Sequence, residues 1–144
     1  MNVKIKYVNP EAKRPEYATE GSAGMDLSAV MDNPVTLRVG GRAMIPTGIA
    51  LQIPEGYGGF IFPRSGLSYK KGISMANCVG VIDSDYTGEI KVVLHNISGH
   101  DYTVNPGDRI AQLVFMPVAK AELQVVEELD TTERGGGGFG STGM

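Results

Sequence analysis

The sequence predicts an all-β fold, a sandwich, jelly roll or barrel of many short strands with a single short helix. Three observations predict it. Glycine and proline, 20 and 8 of the 144 residues, are spread along the whole chain and punctuate it. β-Branched residues gather in short runs, and turn chemistry closes each run. Sustained 3.6-residue apolar periodicity is hard to find.

The first run, residues 3–8, sets Val3, Ile5 and Tyr7 against Lys4 and Lys6, the period-2 pattern of a strand. Residues 23–29 form a small, apolar strand interrupted by one carboxylate, Asp26. After the turn Asp32-Asn33-Pro34 come strands over 35–39 and, past Gly40-Gly41, over 43–53. Pro54-Glu55-Gly56 separates the latter from a strand over 59–62. Residues 65–71 read as about two turns of helix, closed by Gly72 in the place of a C′ glycine. Strands over 80–82, 90–96 and 110–117 follow, divided by Ser98-Gly99-His100 and Asn105-Pro106-Gly107-Asp108. Composition changes only at the end, which divides the chain into a β domain over 1–130 and a flexible arm over 131–144. Glycine dominates this tail, too strongly for it to belong to a core, but Arg134, Phe139, Ser141 and Thr142 lie among the glycines.

The chain is long enough to bury one core without staples. Its content of 42% hydrophobic and 20% charged residues is ordinary for a globular protein. A net charge of −3 gives no basic excess for displacing counterions, which argues against a nucleic-acid partner. No run is long enough for a membrane helix and no signal-peptide h-region begins the chain, so an intracellular protein is expected, cytoplasmic if bacterial. The lone Cys78 cannot form an internal disulfide and is expected as a small buried filler rather than a nucleophile. His95 and His100 read as a strand residue and an exposed turn residue, without metal-ligand spacing.

Four segments carry chemistry, each with a plainer reading beside it. Pro63-Arg64-Ser65-Gly66-Leu67-Ser68 opens the helix, where unpaired N–H groups, a hydroxyl and a guanidinium suit a phosphate; Ser65 also reads as a plain N-cap, the commoner role. Asp26 in Ala23-Gly24-Met25-Asp26-Leu27 is either an edge residue or a holder of a hydrated cation beside a polyphosphate. In Gly80-Val81-Ile82-Asp83-Ser84-Asp85-Tyr86-Thr87-Gly88, the aspartates are either turn formers or proton acceptors, and Tyr86 offers a flat face to a sugar. Gln112, on one strand face with Ile110 and Val114, needs a partner for its amide, in the protein or in a ligand.

In this order and spacing, these segments and the tail Arg134-Gly135-Gly136-Gly137-Gly138-Phe139-Gly140-Ser141-Thr142-Gly143 resemble the five motifs of the trimeric all-β dUTP pyrophosphatases (dUTPases). The likeness runs from about residue 5 to the end of the chain. It implies a jelly-roll-like β-barrel of the β-clip type, a homotrimer with shared active sites, and a flexible arm that closes over a site. The implied reaction is Mg²⁺-assisted hydrolysis of dUTP to dUMP and pyrophosphate, which keeps uracil out of DNA and supplies dUMP for thymidylate synthesis.

Carried over residue by residue, the resemblance makes Asp83 the general base for in-line attack of water on the α-phosphorus. Gln112 would position that water and the α-phosphate, while Arg64, Ser65 and Gly66 would hold the phosphates. Asp26 would bind metal-coordinated water. Asn77, Gly80, Ile82 and Ile90 would recognise uracil, and Tyr86 would lie beneath the deoxyribose. Phe139 and Gly140 would cover the base, with Arg134, Ser141 and Thr142 on the γ-phosphate. The related dCTP deaminases share the fold but carry a catalytic Glu at the place of Val93, which cannot shuttle a proton. A binding module acting only through a partner would dispense with Asp83, Tyr86 or the arm, and all are present.

Overall fold

The structure, a computed structural model, describes residues 1–138. Ten strands and one helix follow one another as β1 (Lys4–Tyr7), β2 (Met25–Ser28), β3 (Val35–Leu37), β4 (Arg42–Gln52), β5 (Tyr57–Phe62), α1 (Ser65–Lys71), β6 (Ile73–Met75), β7 (Gly80–Ile82), β8 (Glu89–Asn96), β9 (Tyr102–Val104) and β10 (Arg109–Pro117). They form two four-stranded sheets, β1-β4-β8-β6 and β2-β10-β5-β7, and a two-stranded ribbon, β3-β9. Every strand pair is antiparallel.

Alternation builds the core. Ile90, Val92 and Leu94 of β8 point inward with Ile45 of β4, and meet Leu27, Ile61 and Leu113 from the other sheet in one buried cluster. The same alternation carries Asn96 inward, where it is fully buried. Its amide donates to the carbonyls of Leu37 and His100 at 2.9 and 2.8 Å, and its oxygen accepts from the Ser98 N–H and hydroxyl at 2.9 and 2.7 Å. All its hydrogen-bonding capacity is therefore used, which is the condition for keeping an amide in an apolar core.

β4 is irregular where it must turn across the molecule. Its pairing with β8 shifts between Pro46 and Ala50, and Gly48 adopts φ 69°. Pro46 is tolerated there because the ladder is already interrupted. Two bonds lock the irregularity to the start of β8: Thr47 Oγ1 donates to Ile90 O at 2.6 Å, and the Gly48 N–H donates to Glu89 Oε1 at 3.0 Å.

The helix occupies the expected residues and ends as the sequence requires, with Gly72 in the left-handed region at φ 62° and its N–H bonded to Ser68 O. The three-residue strands β6 and β9 were not expected, being too short for alternation to register. Cys78 corrects another expectation. It is exposed, with φ 60°, in the turn between β6 and β7, because that turn needs a left-handed residue rather than a core filler. After Val118, whose N–H reaches Gly56 O, the chain runs without helix or strand through the described residues, and Leu123 and Val125 are 89% and 98% exposed. Among the described residues no helix is long and apolar enough to cross a membrane.

Candidate active site

Strand register assembles the first cleft. Gln112 of β10 pairs with Asp26 of β2 on one side and with Phe62 of β5 on the other, so these three side chains stand in a row on one sheet face. Pro63 and Arg64 follow at once and lead into α1. Asp26 lies between two guanidiniums, with Arg64 Nε 2.8 Å from Oδ1 and Arg109 Nη1 3.0 Å from Oδ2. Arg64 also donates to Arg109 O at 3.3 Å. Two cations on one carboxylate leave net positive charge facing a cleft of about 570 Å³. Partly exposed pairs of this kind each contribute about 0.2–1 kcal/mol, so they orient the arginines more than they stabilise the fold.

Three smaller features complete this cleft. Gln112 Nε2 donates to Pro63 O at 3.0 Å, which gives the strand amide a protein partner while it still lines the cleft. Gly24 makes room for it, since a Cβ there would lie 3.0 Å from Gln112 Oε1 and 3.3 Å from Val114 Cγ2. Ser65 is not the N-cap. Arg64 holds that position without a side-chain cap bond, and Ser65 is the first helical residue, lining the cleft. A Cβ on Gly66 would project into open space, so no contact within the chain demands glycine there.

The second cleft, about 280 Å³, lies at the connection from β7 to β8, which crosses between the two sheets and is not a hairpin, and is lined by Val81, Ile82, Asp83, Tyr86 and Ile90 among others. A turn closed by the Tyr86 N–H on Asp83 O, at 3.2 Å, leaves the Asp83 side chain exposed. The Tyr86 phenol donates to Glu89 O at 2.9 Å, and Ile90 is fully buried at the start of β8. Asn77 is exposed in the preceding turn, and Gly80 is buried opposite Ile61, where a Cβ would meet Ile61 Cβ at 3.2 Å. Burial, and then the Asp108 carboxylate, raises the Tyr102 phenol, in the β3-β9 ribbon, above its ordinary value.

The two clefts are separate within one chain. Ile82 pairs with Gly59 while Gln112 pairs with Phe62, so Asp83 and Gln112 are offset by four strand residues and two ladder spacings. That geometry separates their Cα atoms by roughly 16 Å. The Gln112 amide also turns away from the Asp83 turn, toward Pro63. A single water bridges groups only about 5–6 Å apart, twice a hydrogen-bond length. Arg134 is exposed on the arm, curled onto its own backbone with Nε 2.7 Å from Gly137 O. Phe139, Gly140, Ser141 and Thr142 lie outside the described residues.

A family model described as dUTPase matches residues 10–143. The chain belongs to the dUTPase family. The deoxyuridine 5'-triphosphate nucleotidohydrolase of Idiomarina loihiensis is 55% identical over 130 residues, covering 90% of this chain and 86% of that protein. The one from an Anaeromyxobacter species is 52% identical, covering 99% and 98%. Among solved structures, the dUTPase of Staphylococcus bacteriophage 80alpha with dUpNHpp superposes with a TM-score of 0.91 at 30% identity, over 99% of each chain. The fold is thus the dUTPase jelly-roll barrel of the β-clip type with one short helix.

Set on this dUTPase fold, four of the five motifs fall into the two clefts, the first, second and fourth in one and the third in the other. Sequence reading gave Arg109 no role, although it lines the first cleft and shares Asp26 with Arg64. The signal was its place directly before the strand that carries Gln112. Gly24 was likewise only part of a motif until its contact with Gln112 gave the reason for a missing side chain.

Proposed function

We propose that this chain hydrolyses dUTP to dUMP and pyrophosphate, and that each site is completed by more than one copy of the chain in a homotrimer. The observation that carries this reading is the division of the site: a cationic, Gln-bearing cleft and a carboxylate–tyrosine loop on the same chain, with Asp83 and Gln112 too far apart to share one water. Brought together between subunits, they supply the groups that attack on a triphosphate needs. Leu123, Val125 and Leu129, exposed on the extended segment after Val118, support the same reading, since apolar side chains so displayed call for a partner surface.

In this reading, water adds to the α-phosphorus in line with the leaving bridging oxygen. The new P–O bond forms as the bond to the β-phosphate breaks, and the water proton passes to the Asp83 carboxylate. Gln112, held by Pro63 O, keeps an N–H and its carbonyl free to orient the α-phosphate and the water. Arg64 and the exposed Ser65 and Gly66 hold the phosphate oxygens against the charge that develops. Asn77, Gly80, Ile82 and Ile90 form the uracil-facing part of this second half-site. Tyr86 lies under the deoxyribose, where a 2′-hydroxyl would collide with it. Arg134, Phe139, Gly140, Ser141 and Thr142 are assigned to a lid that excludes water.

Magnesium fits this site through water. Each Asp26 oxygen accepts one guanidinium bond and keeps one lone-pair direction, which suits a metal-bound water. When bound, the ion would neutralise triphosphate charge. The test of the whole reading is pyrophosphate release by the purified protein with Mg²⁺ from dUTP, dTTP, dCTP and UTP. Release from dUTP alone supports it, and no release from dUTP refutes it.

A further inference from the structure

One glycine in the Asp83 turn is required neither by its backbone angles nor by the core. Gly88 is not among the positive-φ residues, so its backbone would accept an alanine. The three nearest atoms to a Cβ placed on it all belong to Tyr86: the phenol oxygen at 2.6 Å, Cζ at 2.8 Å and Cε2 at 3.0 Å. The tyrosine ring therefore lies on the bare backbone of residue 88. Its hydroxyl is fastened just beyond, donating to Glu89 O at 2.9 Å. That acceptor is itself anchored, because the Glu89 carboxylate accepts the Gly48 N–H and lies 3.6 Å from Lys91 Nζ, and the next carbonyl, Ile90 O, receives Thr47 Oγ1. With 44% of Tyr86 still exposed, the ring is fixed from below and open toward the second cleft.

We infer that Gly88 is a specificity-determining residue for the sugar, acting by seating Tyr86; this rests on the reading that Tyr86 floors the deoxyribose. The physical reason is steric. A methyl group on residue 88 and a phenol hydrogen-bonded to Glu89 O cannot occupy the same space, and real Cβ atoms do not approach neighbours to 2.6 Å. The ring must leave its seat, and the floor that tells hydrogen from hydroxyl at C2′ goes with it. The turn backbone and Asp83 stay as they are, so sugar selection suffers before chemistry does.

The test compares steady-state hydrolysis of dUTP and UTP by wild type, Gly88→Ala, Tyr86→Ala and the double variant, each checked for a cooperative thermal transition. Gly88→Ala is expected to raise KM for dUTP more than it lowers kcat, and to reduce the dUTP-to-UTP ratio of kcat/KM by roughly 10–100-fold, the scale on which a pocket reads one small group. If Gly88 acts through the ring, the double variant matches Tyr86→Ala in that ratio, because contacting residues do not add. A wild-type ratio in Gly88→Ala overturns the inference, as do losses that multiply in the double variant. Should Gly88→Ala fail to fold, Tyr86→Phe removes only the hydroxyl clasp: a fallen ratio supports the seat and an unchanged one overturns it. A wild-type protein without dUTP hydrolysis would instead refute the underlying function.

Discussion

Mixing two dead variants should restore activity, because Asp83 and Gln112 of one chain cannot reach a common water. Their Cα atoms are separated by two ladder spacings and four strand residues, roughly 16 Å. The Gln112 side chain points the other way, onto Pro63 O. Asp83→Asn removes the proposed base, an expected loss of about 10²–10⁴-fold, and Gln112→Ala empties the proposed facing half-site while leaving every Asp83 intact. In a homotrimer of either variant all sites are defective. In trimers co-assembled at equal ratio, a site is whole only when its Asp83 turn comes from a Gln112→Ala chain and its phosphate cleft from an Asp83→Asn chain. Random assembly makes that about one quarter of all sites, since each symmetry-related interface draws its two halves independently.

The assay is dUTP-dependent pyrophosphate release after co-refolding differently tagged variants, with tandem purification to prove mixed trimers. Recovery near a quarter of the wild-type rate in the unfractionated mixture, and near a third in the purified mixed trimers, each with one whole site of three, is expected, far above the average of the separate variants. Verified mixed trimers with no recovery would refute the reasoning, because residues acting within one chain never meet an intact partner in this mixture.

Asp83→Asn on its own should keep affinity for a non-hydrolysable dUTP analogue within a few-fold while losing turnover; calorimetry beside kinetics checks this, and equal loss of both would mark Asp83 as a turn residue. Truncation before Arg134 should leave the same oligomer by light scattering but a severely reduced rate, and full activity would remove the lid assignment. Asn96→Ala strips the buried Leu37 O of the amide N–H, removes a second donor from His100 O, which keeps Ser98 Oγ, and empties a buried site. About 3 kcal/mol of stability should be lost in urea denaturation. A loss below about 0.5 kcal/mol would mean that water replaces the amide without penalty.

Much of this was legible in the chain. The helix is bounded by signals within its own ten residues, Pro63 before and the left-handed Gly72 after, so local chemistry placed it. Long strands such as β8 and β10 announce themselves by alternation, whereas β6 and β9 hold too few residues for a period to show. Ser65 exposes the limit of local reading. A serine at a helix start satisfies the cap rule as well as the ligand rule, and only the backbone angles of Arg64 place the cap one residue earlier.

By itself, the sequence determined the all-β class, the helix, the identity of the chemical groups and their order along the chain. These follow from propensity, alternation and turn chemistry, which act over a few neighbouring residues. Only the tertiary structure decided which groups meet. Asp26, Arg64 and Arg109 converge because β2, β10 and β5 pair in one particular register, and Asp83 is carried away because β7 pairs three to four residues further along the same strand. Register is set by packing between segments up to some eighty residues apart, such as Asp26 and Arg109, so no short stretch contains it.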